Sequence, residues 1–182
     1  MKGFWNKGGQ DGAPESLRAF LQSISIFSDL SWLELRRLEL ILHERVYHPD
    51  EIIFYEGEPG VGMYLVRSGE IALVKDEAGK ERPSPRDPSS TSSQVPVGRP
   101  LAKFHQGDFF GEVALLTELP RSATARAVEG TVLLGFFRPD LLNLLTSHPK
   151  MGTKVLLRIS QIVAQRLVQT TGAKSEVLRQ ST

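Results

Sequence analysis

The chain contains no cysteine. That excludes a disulfide framework, a thiol nucleophile and a cysteine zinc site, and it fits a reducing, cytoplasmic setting. His43, His48, His105 and His148 are too scattered for an i,i+4 pair or a His-Glu motif, so no metal is expected. A nucleophile elbow, a Walker loop and a paired acidic motif are all missing, and the chain is read as a non-enzyme. No apolar run approaches the ~20 residues that span a bilayer. The opening MKGFWNKGGQDG lacks the apolar centre of a secretion signal. An excess of one charge sign is also absent. Lys and Arg number 22 against 21 Asp and Glu, a net +1 that draws neither nucleic acid nor membrane by bulk attraction.

The charge that exists is uneven. Residues 151–182 carry Lys154, Arg158, Arg166, Lys174 and Arg179 against Glu176. This reads as a solvated helix face with cations toward its C-terminal end, where the helix dipole favours them; an acidic or nucleic-acid partner is the other reading. Phe4 and Trp5 beside Lys2 and Lys7 read as a frayed tail, with contact to a membrane surface or a partner as the alternative.

The 182 residues have room for one domain with a real core. Residues 1–14 are expected to be a flexible tail. Leu17, Phe20, Leu21 and Ile24 then recur at helical spacing, and Ser31 with Glu34 forms a capping-box pattern ahead of Leu35, Leu38 and Leu42. After His48-Pro49-Asp50 the runs become short, β-branched and aromatic. Ser68-Gly69 and Glu129-Gly130 carry hairpin chemistry. Residues 77–100, rich in Pro, Ser and charge, read as a flexible insertion with nothing to bury. Helical period returns in RPDLLNLLTSHP and beyond, where Leu156, Ile159, Val163, Leu167 and Thr170 fall on one stripe. Helices, about eight short strands and helices again give an α+β chain built around a small antiparallel barrel or roll. Val155, Leu156, Ile159, Ile162, Val163 and Leu167 put apolar residues on more than one side of the last helix. They serve packing on its own domain or a homodimer contact.

Within FFGEVALLTELPRSATARA, residues 109–127, Glu112 and Arg121 sit in an otherwise apolar and small-residue segment. An exposed ion pair is the simplest reading, but VALL and SATARA offer little polar surface for one. GEVALLTE is expected to form a short helix whose first N–H groups, with the backbone at Ser122-Ala123, suit an anion. Arg121 adds a planar fork matched to phosphate oxygens, and Glu112 an acceptor matched to a hydroxyl. Phosphate beside sugar hydroxyl describes a nucleotide monophosphate.

The segment resembles the phosphate-binding cassette of the cyclic nucleotide-binding domain family, of the type in catabolite activators, kinase A regulatory subunits and cyclic-nucleotide-gated channels. Phe110, Gly111, Glu112, Val113, Ala114, Leu115, Pro120, Arg121, Ser122, Ala123 and Thr124 all match its pattern. The similarity extends over roughly residues 17–171. It implies an eight-stranded antiparallel β-roll, jelly-roll-like, with N-terminal helices and a C-terminal lid helix. The domain is expected over 15–171, with 172–182 as a tail. The resemblance implies Glu112 on the ribose 2′-hydroxyl and Arg121 on the cyclic phosphate. Ser122 and Ala123 would bond phosphate oxygens; Gly111, Val113 and Ala114 would line the sugar, with Phe110 also in the ligand site; Thr170 and Thr171 would reach the base edge. Sites that prefer cGMP often place Thr directly after the Arg, so Ser122 tilts the expected ligand to cAMP over cGMP.

The chain is accordingly expected to be a bacterial, stand-alone cyclic nucleotide sensor. It would signal to an unknown protein effector through the last helix, with no nucleic acid bound by this chain. Two other readings stay open: the ligand-binding part of a transcription regulator whose DNA reader is absent here, and a degenerate domain that no longer binds nucleotide.

Overall fold

The computed structural model describes residues 16–76 and 98–180, with side chains through Gln169. The tail expected at 1–14 and residues 77–97 of the expected insertion lie outside the described residues, as do the side chains of Thr170 and Thr171.

The N-terminal helices start where side chains cap them. Ser16 accepts from the Ala19 N–H to open α1 (Leu17–Ser23). At α2 (Trp32–Glu39) the expected capping box is complete: the Glu34 N–H donates to Ser31 Oγ and the Ser31 N–H donates to the Glu34 carboxylate at 2.7 Å. A 3-10 turn, Ser25–Phe27, joins the two helices.

Eight strands follow: β1 (His43–Tyr47), β2 (Ile52–Phe54), β3 (Gly62–Ser68), β4 (Ile71–Lys75), β5 (Arg99–Phe104), β6 (Phe109–Phe110), β7 (Thr124–Ala127) and β8 (Thr131–Phe137). They make two four-stranded antiparallel sheets, ordered β1-β8-β3-β6 and β2-β7-β4-β5. This is the expected eight-stranded roll. β5 starts at Arg99, inside the range read as insertion.

The turns behave differently from their local chemistry. β3 and β4, on either side of Ser68-Gly69, lie in different sheets, and so do β7 and β8 around Glu129-Gly130. Neither turn closes a hairpin. Both are corners where the chain changes sheet, and they are laced together: the Val128 N–H donates to the Glu70 carbonyl at 2.9 Å, and the Thr131 hydroxyl lies between the Glu129 and Glu70 carbonyls, at 2.9 and 3.3 Å.

The strands serve two cores. Val66, Phe110, Ala125, Ala127 and Leu133 pack between the sheets, whereas Met63, Leu65, Phe109, Leu134 and Phe136 face outward from β3, β6 and β8 onto the helices. Neighbouring strand residues point to opposite faces, so β3 is covered on both sides rather than alternating buried with exposed.

The helical layer is completed by α4 (Arg138–Ser147) and α5 (Pro149–Gln180). The α5 helix continues through residues 172–180, past the expected boundary at 171. Its buried apolar side chains are Met151, Val155 and Ile159, with Leu156, Ile162 and Val163 packed at their edge and Leu167 exposed. The expected stripe is therefore offset, and most of the residues first read as a second apolar side pack on their own domain.

The basic C-terminal face is also not simply solvated. Lys154 pairs with Glu34 at 2.8 Å, Arg158 with Asp29 at 2.7 Å and Arg166 with Glu112 at 2.7 Å. Those three cations fasten α5 to the rest of the domain.

Candidate functional site

Gly111 turns the chain from β6 into the cassette at φ +77°, a left-handed conformation that favours glycine. A Cβ there would also fall 2.5 Å from Arg121 Nη1, so the missing side chain makes room for the guanidinium. Glu112 stands at the N-cap of α3 (Val113–Leu116), which is shorter than GEVALLTE suggests and ends where Thr117 becomes extended. Gly60, in the β2–β3 connection, lets that segment lie against α3: a Cβ on it would approach Ala114 Cβ to 2.7 Å.

The backbone at Arg121 is held from both sides. Its N–H donates to the Glu58 carbonyl and its carbonyl accepts from the Gly57 N–H, each at 2.8 Å, beside a bridge between Pro59 and Pro120. The following turn is fixed by Thr124, whose hydroxyl accepts from the Glu56 N–H at 2.9 Å and donates to Asp76 at 2.6 Å. Lys75 Nζ donates to the Ser122 carbonyl at 3.2 Å.

Pinned this way, the Arg121 side chain is only 7% exposed. Its guanidinium lies 4.0 Å from the centre of the Phe54 ring and 5.9 Å from that of Tyr64. Behind it, Phe54, Tyr64, Phe104 and Phe110 pack ring against ring. Nη1 donates to the Gly111 carbonyl at 3.4 Å, while Nε has no hydrogen-bond partner. Among the described residues Arg121 has no carboxylate at ion-pairing distance. Burial pushes its pKa below the ordinary arginine value, partly offset by Tyr64 and Glu58. A buried cation that rests on aromatic faces with an unused donor is suited to an anion from outside the protein.

Glu112 is 5% exposed and is met from the other side. Arg166 on α5 donates to its carboxylate at 2.7 Å and reaches the Phe109 carbonyl at 3.4 Å, its guanidinium 4.9 Å from the centre of the Phe109 ring.

Between the two charges lies a cavity of about 260 Å³, at the small end for ligand sites. Phe110, Gly111, Glu112, Val113, Ala114, Arg121, Ser122 and Ala123 all line it, so the structure gathers these sequence-picked residues around one space. Thr170 and Thr171 are in helical backbone four and five positions beyond Arg166. Sequence reading missed Arg166, the aromatic floor at Phe54 and Phe104, and Leu73 and Leu119 on the walls. A signal for Arg166 exists: Lys154, Arg158 and Arg166 share one i,i+4 stripe of α5, and all three point at acids. Among the described residues no cluster of three or more His, Asp or Glu side chains is arranged to hold a metal.

A family model described as "Cyclic nucleotide-binding domain" matches residues 44–84 and 91–148, over half of the chain. The cyclic AMP receptor protein of Thermus thermophilus is 36% identical over 123 residues, 68% of this chain and 48% of that protein. A cAMP-dependent protein kinase regulatory subunit from Debaryomyces hansenii is 33% identical over 114 residues, 63% of this chain and 21% of that one. The chain thus spans about half or less of the length of these two relatives. A crystal structure of a cyclic nucleotide-binding domain from Methylobacillus flagellatus superposes with a TM-score of 0.67 at 27% identity, covering 88% of this chain and 81% of that one. With the roll, the cassette and the matched span in agreement, the chain belongs to the cyclic nucleotide-binding domain family.

Proposed function

We propose that the chain is a cyclic nucleotide sensor that takes cAMP in preference to cGMP and reports occupancy through α5. In this reading the cyclic phosphate sits on Arg121 with Ser122 and Ala123. The ribose 2′-hydroxyl bonds Glu112, while Gly111, Val113 and Ala114 line the sugar, Phe110 belongs to the ligand site, and Thr170 and Thr171 meet the base edge. The observation that carries the reading is the Arg166–Glu112 pair. A sugar hydroxyl that takes up the Glu112 carboxylate changes the terms on which Arg166 is held. Ligand would therefore bear differently on α5 held by Glu112 and on α5 released from it, the differential contact that a ligand-driven shift requires. The orphaned Arg121 Nε supports the phosphate end.

The output is a changed α5 surface read by a protein effector. A homodimer through α5 is favoured by one further observation: Leu157, Ala164 and Val168, spaced seven and four apart, are exposed, with Leu157 56% and Val168 70% accessible. Light scattering with and without nucleotide separates monomer from dimer.

Calorimetric titration with cAMP and cGMP, beside Arg121→Ala, tests the sensor. Tighter binding of cAMP, lost by about 100-fold or more in the variant, is expected from removal of charge-assisted phosphate contacts. Absence of binding by either nucleotide, or equal binding by Arg121→Ala, overturns the reading.

A further inference from the structure

The outer face of α2 is sorted by chemistry in a way the nucleotide site does not use. Leu35 and Leu38 point inward and are buried. Both acids of the helix are engaged within the domain: Glu34 with Lys154 and the Ser31 N–H, Glu39 with Arg18. What remains outward is Trp32, Leu33, Arg36, Arg37 and Leu40. Trp32 is 58%, Leu33 60% and Leu40 82% exposed. Among the described residues neither Arg36 nor Arg37 has an ion-pair partner.

At about 100° per residue, Leu33 and Leu40 lie nearly in line, and Arg36 and Arg37 fall roughly 50° to either side of that line. Trp32 forms the rim beyond Arg36, with the Arg18 guanidinium 4.3 Å from its ring centre. The face is thus an apolar ridge with a cation on each flank and no acid between.

We propose that this face of α2 docks reversibly on an anionic phospholipid surface. A convex ridge of leucines enters the boundary between headgroups and acyl chains, while the flanking guanidiniums stay at phosphate depth on their aliphatic stems. An acidic protein groove would satisfy the arginines, but the leucines lie on the crest between them, where a bilayer takes them without a matching pocket. The same mixture of aromatic and cation recurs in the sequence at Lys2, Phe4, Trp5 and Lys7.

The test is flotation of the full chain with phosphatidylcholine vesicles and with vesicles containing about one third phosphatidylserine, at low and high salt. Binding is expected to the anionic vesicles only, to weaken with salt, and to fall by more than about 30-fold in Arg36→Glu/Arg37→Glu, since loss of two arginines at about 1 kcal/mol each already gives that factor and the new acids add repulsion. A fall of only a few degrees in thermal midpoint is expected for that variant, because the reversals place acids in the last turn of α2. The chain has two tryptophans, so Trp5→Phe leaves Trp32 as sole reporter, and its emission is expected to shift blue on anionic vesicles. The proposal is overturned by any of three results: no binding to anionic vesicles, binding unaffected by the arginine reversals, or a stationary Trp32 spectrum. A concentration-dependent dimer abolished by Leu33→Ser/Leu40→Ser, in the absence of vesicle binding, assigns the face to a second copy instead.

Discussion

Glu112 and Arg166 are 54 positions apart in the chain and 2.7 Å apart in space. The carboxylate is almost fully buried and the guanidinium is partly in water, so the contact is asymmetric: Glu112 depends on Arg166 more than the reverse.

Arg166→Ala is therefore expected to cost about 1–2 kcal/mol, less than a fully buried pair because one partner is solvated. Scanning calorimetry reads this as a fall of several degrees in Tm. In the sensor reading, nucleotide still binds through Arg121 in this variant. The nucleotide-dependent change in hydrogen exchange along residues 150–169 of α5 disappears. A helix that still responds to nucleotide without Arg166 removes the pair from the signalling route.

Gly111→Ala attacks the cassette from the backbone. Strain at φ +77° and a methyl group 2.5 Å from Arg121 Nη1 act together. A loss of about 1–2 kcal/mol is expected, with a fall in cyclic nucleotide affinity as the guanidinium is pushed aside. Gly107→Ala is the comparison: φ is also positive, at +90°, but nothing lies within 4 Å, so stability falls while affinity holds.

Phe54→Leu keeps an apolar side chain at the floor but removes the ring under Arg121. The cation–π contribution, about 1 kcal/mol, goes with it. Weaker nucleotide binding with a modest drop in Tm is expected from paired calorimetric and melting measurements. Unchanged affinity shows that the backbone clamp at Gly57 and Glu58 suffices to aim the guanidinium.

Acid should loosen α5. The hydrogen bond from Arg158 holds the Asp29 carboxyl below its usual range. Burial pushes Glu34 up, but the hydrogen bonds from Lys154 and Ser31 outweigh it and the net direction is down. Carboxyls lowered on folding contribute stability above their unfolded pKa and lose it as pH falls through the lower folded value. Tm is thus expected to decline from about pH 5 downward, and Asp29→Asn/Glu34→Gln to flatten that decline while retaining the α2 cap. Equal slopes in wild type and variant exclude these two carboxyls as the cause.

The sequence was most legible where chemistry is local. The capping box at Ser31 and Glu34 and the punctuation of eight strands needed no distant partner. The corners at Ser68-Gly69 and Glu129-Gly130 were misjudged for a physical reason: turn residues encode a reversal of direction, not the sheet in which the chain lands. The cassette residues were legible because Gly111, Glu112 and Arg121 lie within one short segment. Arg166 was not, since a lone cation on a helix acquires meaning only from the acid it faces, and that acid is set by tertiary packing.

Phe109 and Phe110 are joined by one peptide bond but serve different cores, one beneath the helices and one inside the roll. The two-residue strand leaves no spare backbone between them, so a substitution that shifts the strand at Phe110 is felt at Phe109 under the helical layer. Anyone reshaping the pocket at Phe110 has to recut the packing under α5 in the same step.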